Sequence, residues 1–124
     1  MRLSEFELEV MQLFWVCAQL SAPEAHQEII KNKDVTYSTV KTIIDRLEKK
    51  GAIKRTSQKG RTIFYGAAIQ SDDIKQPLIS SFIKKVFGGE TRPLFNHLVN
   101  EEKLSRDDIA YLEELLEKKK KELD

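Results

Sequence analysis

Cysteine is nearly absent from the sequence: among 124 residues only Cys17 is present, and it has no second cysteine to pair with. The chain is therefore not a disulfide-stabilised scaffold. Cys17 lies in an apolar helical stretch, and we expect a buried structural thiol. No stretch approaches the roughly 18 apolar residues of a membrane span, and no charged-then-apolar leader begins the sequence. These absences predict a soluble cytoplasmic protein without membrane insertion.

Groups typical of catalytic and metal sites are equally scarce. The only histidines, His26 and His97, lie far apart in the sequence, and neither has a partner at metal-ligand spacing. There is no glycine-rich phosphate loop, and the many carboxylates fall at helix starts and on solvated faces. We therefore expect no catalytic residue, no metal and no cofactor.

The net charge of +1 hides an uneven distribution of charge. Ten basic residues lie between Lys31 and Arg61 against three acidic ones, whereas from Ser71 onward twelve acidic residues outnumber ten basic ones. Binding to nucleic acid depends on the cations at the contact rather than on the total charge. The segment 31–61 is therefore a candidate phosphate-binding region.

A helix predicted over residues 36–50 lies at the centre of this basic segment. Thr36 is placed to cap its start, and Gly51, directly after Lys49 and Lys50, is expected to end it in the left-handed conformation. The face opposite its apolar stripe carries hydroxyl and cationic groups, which suits insertion into a DNA major groove. An ordinary solvated helix face is the alternative. The stripe recurs at i, i+3, i+4 and i+7 and consists of Val40, Ile43, Ile44 and Leu47.

Two further helices precede this one, and a hairpin follows it. Capping boxes, in which a serine and a glutamate three residues later cap each other's backbone, start the first two helices at Ser4 and Ser21. The second ends near Asn32 and forms a helix-turn-helix with the helix at 36–50. Residues 53–56 and 62–67 predict two strands around a turn at 57–61. Three helices and a basic-tipped hairpin are the order of a winged helix.

We predict that the helix at 36–50 reads bases, while its end and the hairpin hold phosphates. A hairpin that is basic for solubility alone is the alternative. The candidate DNA-binding residues are Ser38, Thr39, Lys41, Thr42, Arg46, Lys49, Lys50, Arg55, Lys59 and Arg61.

Residues 71–124 predict short helices that are apolar on one face only, and a capping box at Ser105 starts the last of them. Pro77 lies inside the first of them and should kink it or mark its effective start. Such helices cannot bury their apolar faces alone, so we expect them to pair with the same arm of a second copy in a two-fold dimer. Packing against the first helix of the same chain is the alternative. The candidate dimerisation residues are Ile74, Leu78, Phe82, Ile83, Val86, Phe87, Ile109, Leu112 and Leu116.

Several short motifs together carry a resemblance that no single one would. In the N-terminal part they are Glu9-Val10-Met11, Trp15, Ser21-Ala22, Thr39, Thr42, Arg46-Leu47, Lys49-Lys50-Gly51 and Tyr65. In the arm they are Asp73-Ile74-Lys75, Phe82-Ile83, Lys85-Val86, Gly88-Gly89 and Leu104-Ser105. With these motifs the chain resembles the penicillinase and methicillin-resistance repressor family of bacterial transcription regulators over nearly its whole length.

The resemblance implies a homodimer that binds inverted repeats with TACA/TGTA-type half-sites and regulates antibiotic resistance. It also implies release from DNA when a membrane-bound sensor pathway triggers proteolysis in the arm. Antibiotic-responsive members are cut at an Asn-Phe bond, whereas this chain has Phe95 before Asn96. We place the candidate cleavage region at Asn96, His97 and Leu98. Copper-responsive members carry Cys-x-Cys motifs, which this chain lacks.

The sequence thus predicts a mainly α fold with a small β-hairpin wing. A winged helix-turn-helix domain is expected over residues 1–70 and a helical dimerisation domain over residues 71–124. The leading hypothesis is a dimeric repressor that binds a palindromic operator in double-stranded DNA and answers to an upstream sensor or protease pathway. A winged-helix protein-interaction module that does not touch DNA is the second hypothesis, and an enzyme is the third.

Overall fold

The structure is a computed structural model that describes residues 1–124 as six helices and a three-stranded antiparallel sheet. In chain order the elements are α1 (Glu5–Val16), β1 (Leu20–Ser21), α2 (Ala22–Ile29), α3 (Tyr37–Lys49), β2 (Ile53–Lys59), β3 (Thr62–Ala67), α4 (Ser71–Phe87), α5 (Arg92–Asn100) and α6 (Arg106–Leu123). They form two compact units, residues 1–77 and 78–124. This mainly helical chain with one small sheet confirms the predicted fold class.

Serine caps start three of the helices, as predicted. Ser4 Oγ accepts a hydrogen bond from Glu7 N at 3.1 Å, while Glu7 Oε1 accepts one from Ser4 N at 2.9 Å. Ser21 starts α2 and Ser105 starts α6 in the same way. Each box satisfies two backbone N–H groups near the helix start and contributes roughly 1 kcal/mol to stability.

The core of the first unit lies where α1, α2 and α3 meet the sheet. The predicted apolar stripe of α3 is confirmed, because its four residues are at most 5% exposed. They form one cluster with apolar residues of the first two helices: Val10, Met11, Phe14, Ala25 and Ile29. Burying each large side chain contributes about 1.5–3 kcal/mol. Since the stripe holds α3 in the core, the opposite face of this helix points outward.

The sheet has the strand order β1-β3-β2. Strand β1, in which Leu20 pairs with Tyr65 and Ser21 with Phe64, was not predicted from the sequence. A strand of two residues is too short to show an alternating pattern. It joins the α1–α2 connection to the hairpin and makes β3, with Tyr65, the central strand.

The hairpin of β2 and β3 is confirmed, but its predicted boundaries were wrong. Strand β2 continues to Lys59 instead of ending at Thr56, and the turn consists of Gly60 and Arg61 rather than residues 57–61. Gly60 has a φ of +63°, which a two-residue hairpin turn favours and glycine adopts without strain. Polar residues extend β2 because this part of the hairpin lies outside the core.

The C-terminal end of α1 lies at the margin of the core. Trp15 is partly buried there, and its Nε1 donates a hydrogen bond to Ile69 O at 3.0 Å. The prediction of a buried thiol at Cys17 was wrong: this residue is the C-cap of α1, where the chain leaves the core, and it is half-buried.

Helix α4 runs from Ser71 through Pro77, so Pro77 does not mark its start. The two compact units divide directly after this proline. Ile74 lies in the first unit and is 8% exposed, whereas Leu78 opens the second unit and is exposed. One helix therefore contributes to both units, and the division into domains at residue 70 stays a prediction.

The second unit contains helices that bury almost nothing within their own chain. No residue of α5 or α6 is buried. Gly88 and Gly89, both with positive φ, follow the end of α4. A cleft of about 380 Å³ in this unit is lined mainly by apolar side chains: Val99, Leu104, Ile109, Leu112 and Leu116. None of the helices in the structure has the length and apolar composition needed to cross a membrane.

Candidate nucleic-acid interface

All ten candidate DNA-binding residues lie in the first unit, on α3, on its C-cap and on the β2–β3 hairpin. Nine of them are exposed, and Lys41 is half-buried. The fold thus brings the predicted base-reading helix and the predicted phosphate-binding hairpin onto one unit, with both open to solvent. Their contact with DNA stays a prediction.

The first turn of α3 presents a cluster of hydroxyl groups. Thr36 Oγ1 accepts a hydrogen bond from Thr39 N at 3.2 Å and lies 3.1 Å from Ser38 Oγ. Thr42 Oγ1 donates to Ser38 O at 2.9 Å. Because Thr42 already uses its proton within the helix, its oxygen is left to accept from a donor such as a base amino group.

Three of the candidate cations are paired with carboxylates, and two of these pairs, those of Lys41 and Arg55, lie on the outer surface. Lys41 Nζ bonds to Asp45 one turn further along α3, and Arg55 Nε donates to Glu48 Oε2 at 2.8 Å. The pKa of Lys41 is raised, chiefly because Asp45 accepts its hydrogen bond, while burial acts in the opposite direction. Each pair cancels a positive charge at the surface, so a phosphate must compete with the carboxylate for the cation.

Lys50 differs from the other candidates because it pairs with a buried carboxylate, that of Glu7. Its Nζ lies 2.7 Å from Glu7 Oε2 and donates to Arg2 O at 2.9 Å. Glu7, on α1, is only 3% exposed. Burial acts to raise the pKa of Glu7, but hydrogen bonds from Lys50 and Ser4 favour the carboxylate and lower the pKa overall. Sequence reasoning missed this ion pair, since partners 43 positions apart leave no local signal.

The Glu7–Lys50 pair predicts a specific loss of stability in acid. The pKa of Glu7 is lower in the folded chain than its ordinary value of 4.5, so the carboxylate contributes stability above that pH. This contribution is lost as the pH falls through the folded-state pKa. We expect Glu7→Gln to flatten the pH dependence of the unfolding free energy, measured by urea denaturation between roughly pH 7 and pH 3.

The control for this experiment is Glu28→Gln, which removes the carboxylate of an exposed ion pair with Lys31. An exposed pair contributes about 0–1 kcal/mol, so this variant should keep the wild-type pH dependence. Identical pH dependence in wild type and Glu7→Gln would show that the buried carboxylate does not carry the effect.

Five cations of this surface form no ion pair within the chain: Arg46, Lys49, Lys54, Lys59 and Arg61. Four of them are candidates from the sequence. Lys54, on β2, is not among those candidates, and the structure exposes it on the hairpin. Unpaired exposed cations are the groups best able to neutralise phosphates.

A helix-turn-helix whose second helix turns a hydroxyl-rich, cationic face outward, followed by a basic hairpin, defines a winged helix of the type that binds DNA. The chain belongs to the penicillinase repressor family, whose model matches residues 3–118. This match confirms the resemblance derived from the sequence, and the members of this family are regulators rather than enzymes.

Named relatives match nearly the full length of the chain. It is 38% identical over 118 residues to the methicillin resistance regulatory protein MecI of Staphylococcus aureus strain N315, with 94% of each chain covered. It is 35% identical over 114 residues to the penicillinase repressor of Staphylococcus aureus, with 92% of this chain and 90% of the relative covered.

Solved structures support the fold. The solution structure of the DNA-binding domain of the repressor BlaI matches with a TM-score of 0.53 and 32% identity, covering 58% of this chain and 87% of that domain. A mutant MarR from Escherichia coli matches with a TM-score of 0.51, covering 94% of this chain and 76% of its own. At 19% identity this second likeness concerns the fold alone.

Proposed function

We propose that the protein is a dimeric, cytoplasmic transcriptional repressor that binds a palindromic operator in double-stranded DNA. The observation that carries this proposal is the outward face of α3, which combines a hydroxyl cluster with the unpaired Arg46 beside an exposed basic hairpin. Three relatives support it: one named a penicillinase repressor at 35% identity, one named a methicillin resistance regulatory protein at 38%, and a solved DNA-binding domain of a repressor.

The residues of the interface divide by chemistry. Hydroxyl groups near the start of α3 and the guanidinium of Arg46 meet base edges, because they offer the donors and acceptors that bases recognise. Cations at the end of α3 and on the hairpin hold the backbone. Lys41 and Arg55 join them by exchanging a carboxylate for a phosphate. Lys50 acts mainly by holding the end of α3 against α1 through Glu7.

Dimerisation follows from the apolar surface of the second unit. Leu78, Phe82, Val86, Ile109 and Leu116 are all exposed within a single chain. Exposed apolar side chains in this number mark an interaction site in a folded protein. A second copy related by a two-fold axis covers it with the same residues and places two copies of α3 on two half-sites. Ile74 takes no part, because its own chain already buries it.

Release from the operator is proposed to follow cleavage or another inducing signal that acts on the arm. The candidate cleavage region, Asn96 to Leu98, lies within α5 and is exposed. A protease needs an extended backbone, so α5 must open before it is cut. This helix has nine residues, no side-chain cap at Thr91 and no buried residue, and isolated helices of this length are marginal in water.

The function is tested by selecting bound sequences from a random pool of duplex DNA with the full chain. We expect an inverted repeat whose half-sites are separated by a whole number of helical turns. The wild type should also retard random duplex DNA in a gel at low salt, since phosphate contacts are independent of sequence. No retardation at low salt would overturn the proposal in favour of the protein-interaction module.

Lys59 provides a test of the phosphate contacts. Lys59→Ala should lower the affinity for operator DNA and for random DNA by a similar factor, because a phosphate contact carries no sequence information. It should also reduce the slope of log affinity against log salt concentration by about 0.9 for each protomer on the DNA. Lys119→Ala, on α6, is the control and should leave the slope unchanged. An unaltered slope in Lys59→Ala would remove this residue from the interface.

A further inference from the structure

A small cleft opens beside α3, between the start of α2 and strand β3. Its volume is about 140 Å³, on the order of ten times the roughly 10–15 Å³ that a single water needs. It lies within the first unit and is lined in part by Tyr37, Lys41, Arg61 and Tyr65. Two of these residues carry a positive charge and two carry a hydroxyl group.

Tyr65 is the unusual member of this group, because it is 1% exposed and still polar. The hydroxyl of Tyr65 has no hydrogen-bond partner within the chain. It is nevertheless not a fully buried atom, because the one fully buried side-chain oxygen without a hydrogen bond belongs to Glu7. The Tyr65 hydroxyl therefore keeps a small contact with solvent, and the cleft that this residue lines provides it. A buried tyrosine usually finds a partner for its hydroxyl, and at Tyr65 this position is open to water or to a ligand atom that enters the cleft.

The charges at the cleft select an anion. No carboxylate belongs to the lining, whereas a lysine carries about three N–H donors and an arginine about five. Lys41 gives one of its donors to Asp45, and the others, with those of Arg61, remain for an anion. Lys41 is held beside the cleft by Asp45, whose hydrogen bond is the largest cause of the raised pKa of this lysine. The positive end of the α2 dipole lies at Pro23, on the same lining.

The backbone at the start of α2 contributes little direct bonding. Pro23 has no N–H group, and Glu24 N already donates to Ser21 Oγ at 3.3 Å. The side-chain donors that line the cleft are those of Lys41, Arg61, Thr62 and the two tyrosines. A phosphate group suits them, because its oxygens are acceptors only and its charge matches the cations.

We propose that this cleft binds one phosphate group of the DNA backbone in each half-site, with the Tyr65 hydroxyl as a donor from the protein core. The inference rests on the proposed DNA-binding function and adds Tyr37 and Tyr65 to its binding residues. Because Tyr65 belongs to the central strand of the sheet, a phosphate bound here is tied to the core rather than to mobile side chains. Such an anchor fixes the register of the duplex against α3.

The test combines Tyr65→Phe with duplexes that carry one uncharged methylphosphonate linkage at successive positions of the selected operator. In the wild type, one linkage in each half-site should cost about ten-fold in affinity, the effect expected for losing a hydrogen bond to a charged group. The same linkage should cost measurably less in Tyr65→Phe, because the variant has already lost that contact. The variant should bind every duplex more weakly with an unchanged salt slope, since no charge is removed.

Two further variants keep the result interpretable. Tyr111→Phe, on α6, removes a tyrosine hydroxyl far along the chain and should behave as the wild type in every duplex. Tyr37→Phe changes an exposed residue, so it tests the cleft without any risk to the core. Thermal unfolding of Tyr65→Phe should match that of the wild type, because the substitution preserves volume and removes no hydrogen bond within the chain.

The outcomes separate the two proposals. If the wild type binds no DNA at all, the proposed function fails. If the wild type binds its operator but no linkage is coupled to either tyrosine, only the assignment of the cleft is overturned. The remaining case is a cleft that binds free phosphate. It is tested by titrating the protein with sodium phosphate and comparing the result with sodium chloride at equal ionic strength. Saturable phosphate binding that Tyr65→Phe abolishes, without any coupled linkage, would assign the cleft to free phosphate and overturn the backbone contact.

Discussion

Replacing Leu112 by aspartate is expected to convert the repressor into a monomer and to lower operator affinity by at least about 100-fold. Leu112 is exposed on α6 within one chain and lines the apolar cleft of the second unit. A charge at the centre of the proposed dimer surface would have to be buried without a partner, which is strongly unfavourable. Two linked winged-helix units bind a palindrome roughly 10²–10⁴ times more tightly than one unit does, and a monomer loses this gain.

Sedimentation equilibrium and a DNA titration measure the two parts of this prediction. Leu112→Asp should sediment as a monomer and should bind a full palindrome little better than a single half-site. Ala110→Asp is the matched control, because it adds the same charge on the same helix at a position outside the apolar stripe. A wild type that is monomeric at micromolar concentration, or a Leu112→Asp variant with unchanged affinity, would refute the dimer.

Arg46→Ala is expected to cause the second large effect, a loss of about 10- to 100-fold in operator affinity. Arg46 is exposed on the outward face of α3 and has no ion pair that would have to break before it binds. A good contact between arginine and a base contributes roughly 1–3 kcal/mol of discrimination. The loss should therefore be larger for the operator than for random DNA, and one base position in each half-site should become less selective.

Competition between operator and random duplexes, at one salt concentration, measures this ratio. Arg106→Ala, at the start of α6, removes the same side chain from the second unit and should leave both affinities unchanged. If Arg46→Ala lowers the affinity for operator DNA and for random DNA by an equal factor, Arg46 contacts a phosphate rather than a base.

The sequence allowed prediction of the features that depend on neighbours along the chain. The apolar stripe of α3, the capping boxes at Ser4, Ser21 and Ser105 and the positive φ of Gly51 are all present in the structure. Each arises from residues three to seven positions apart, so periodicity and capping rules apply to them directly. The residues of the candidate interface lie mainly in these local elements, which is why the sequence could assign them to α3 and the hairpin of the first unit.

Features that depend on contacts between distant residues were not predictable in the same way. Strand β1 exists only because Leu20 meets Tyr65, and Lys50 is held only because Glu7 of α1 lies beside it. Neither contact has a local signature. The open hydroxyl of Tyr65 is a further case, since its strand pattern gives no sign that a cleft adjoins it.

The pairing of Lys41 with Asp45 and of Arg55 with Glu48 bears on how such a protein finds its operator in a genome. A lysine or arginine that carries its own carboxylate brings almost no charge to an arbitrary stretch of duplex, so attachment at the millions of wrong sites is weakened. At the operator, where close fit brings the backbone near, the same side chains can leave their carboxylates and bind. If the proposed contacts form, Asp45 and Glu48 oppose wrong sites more than the right one, which is how repulsive groups improve selectivity.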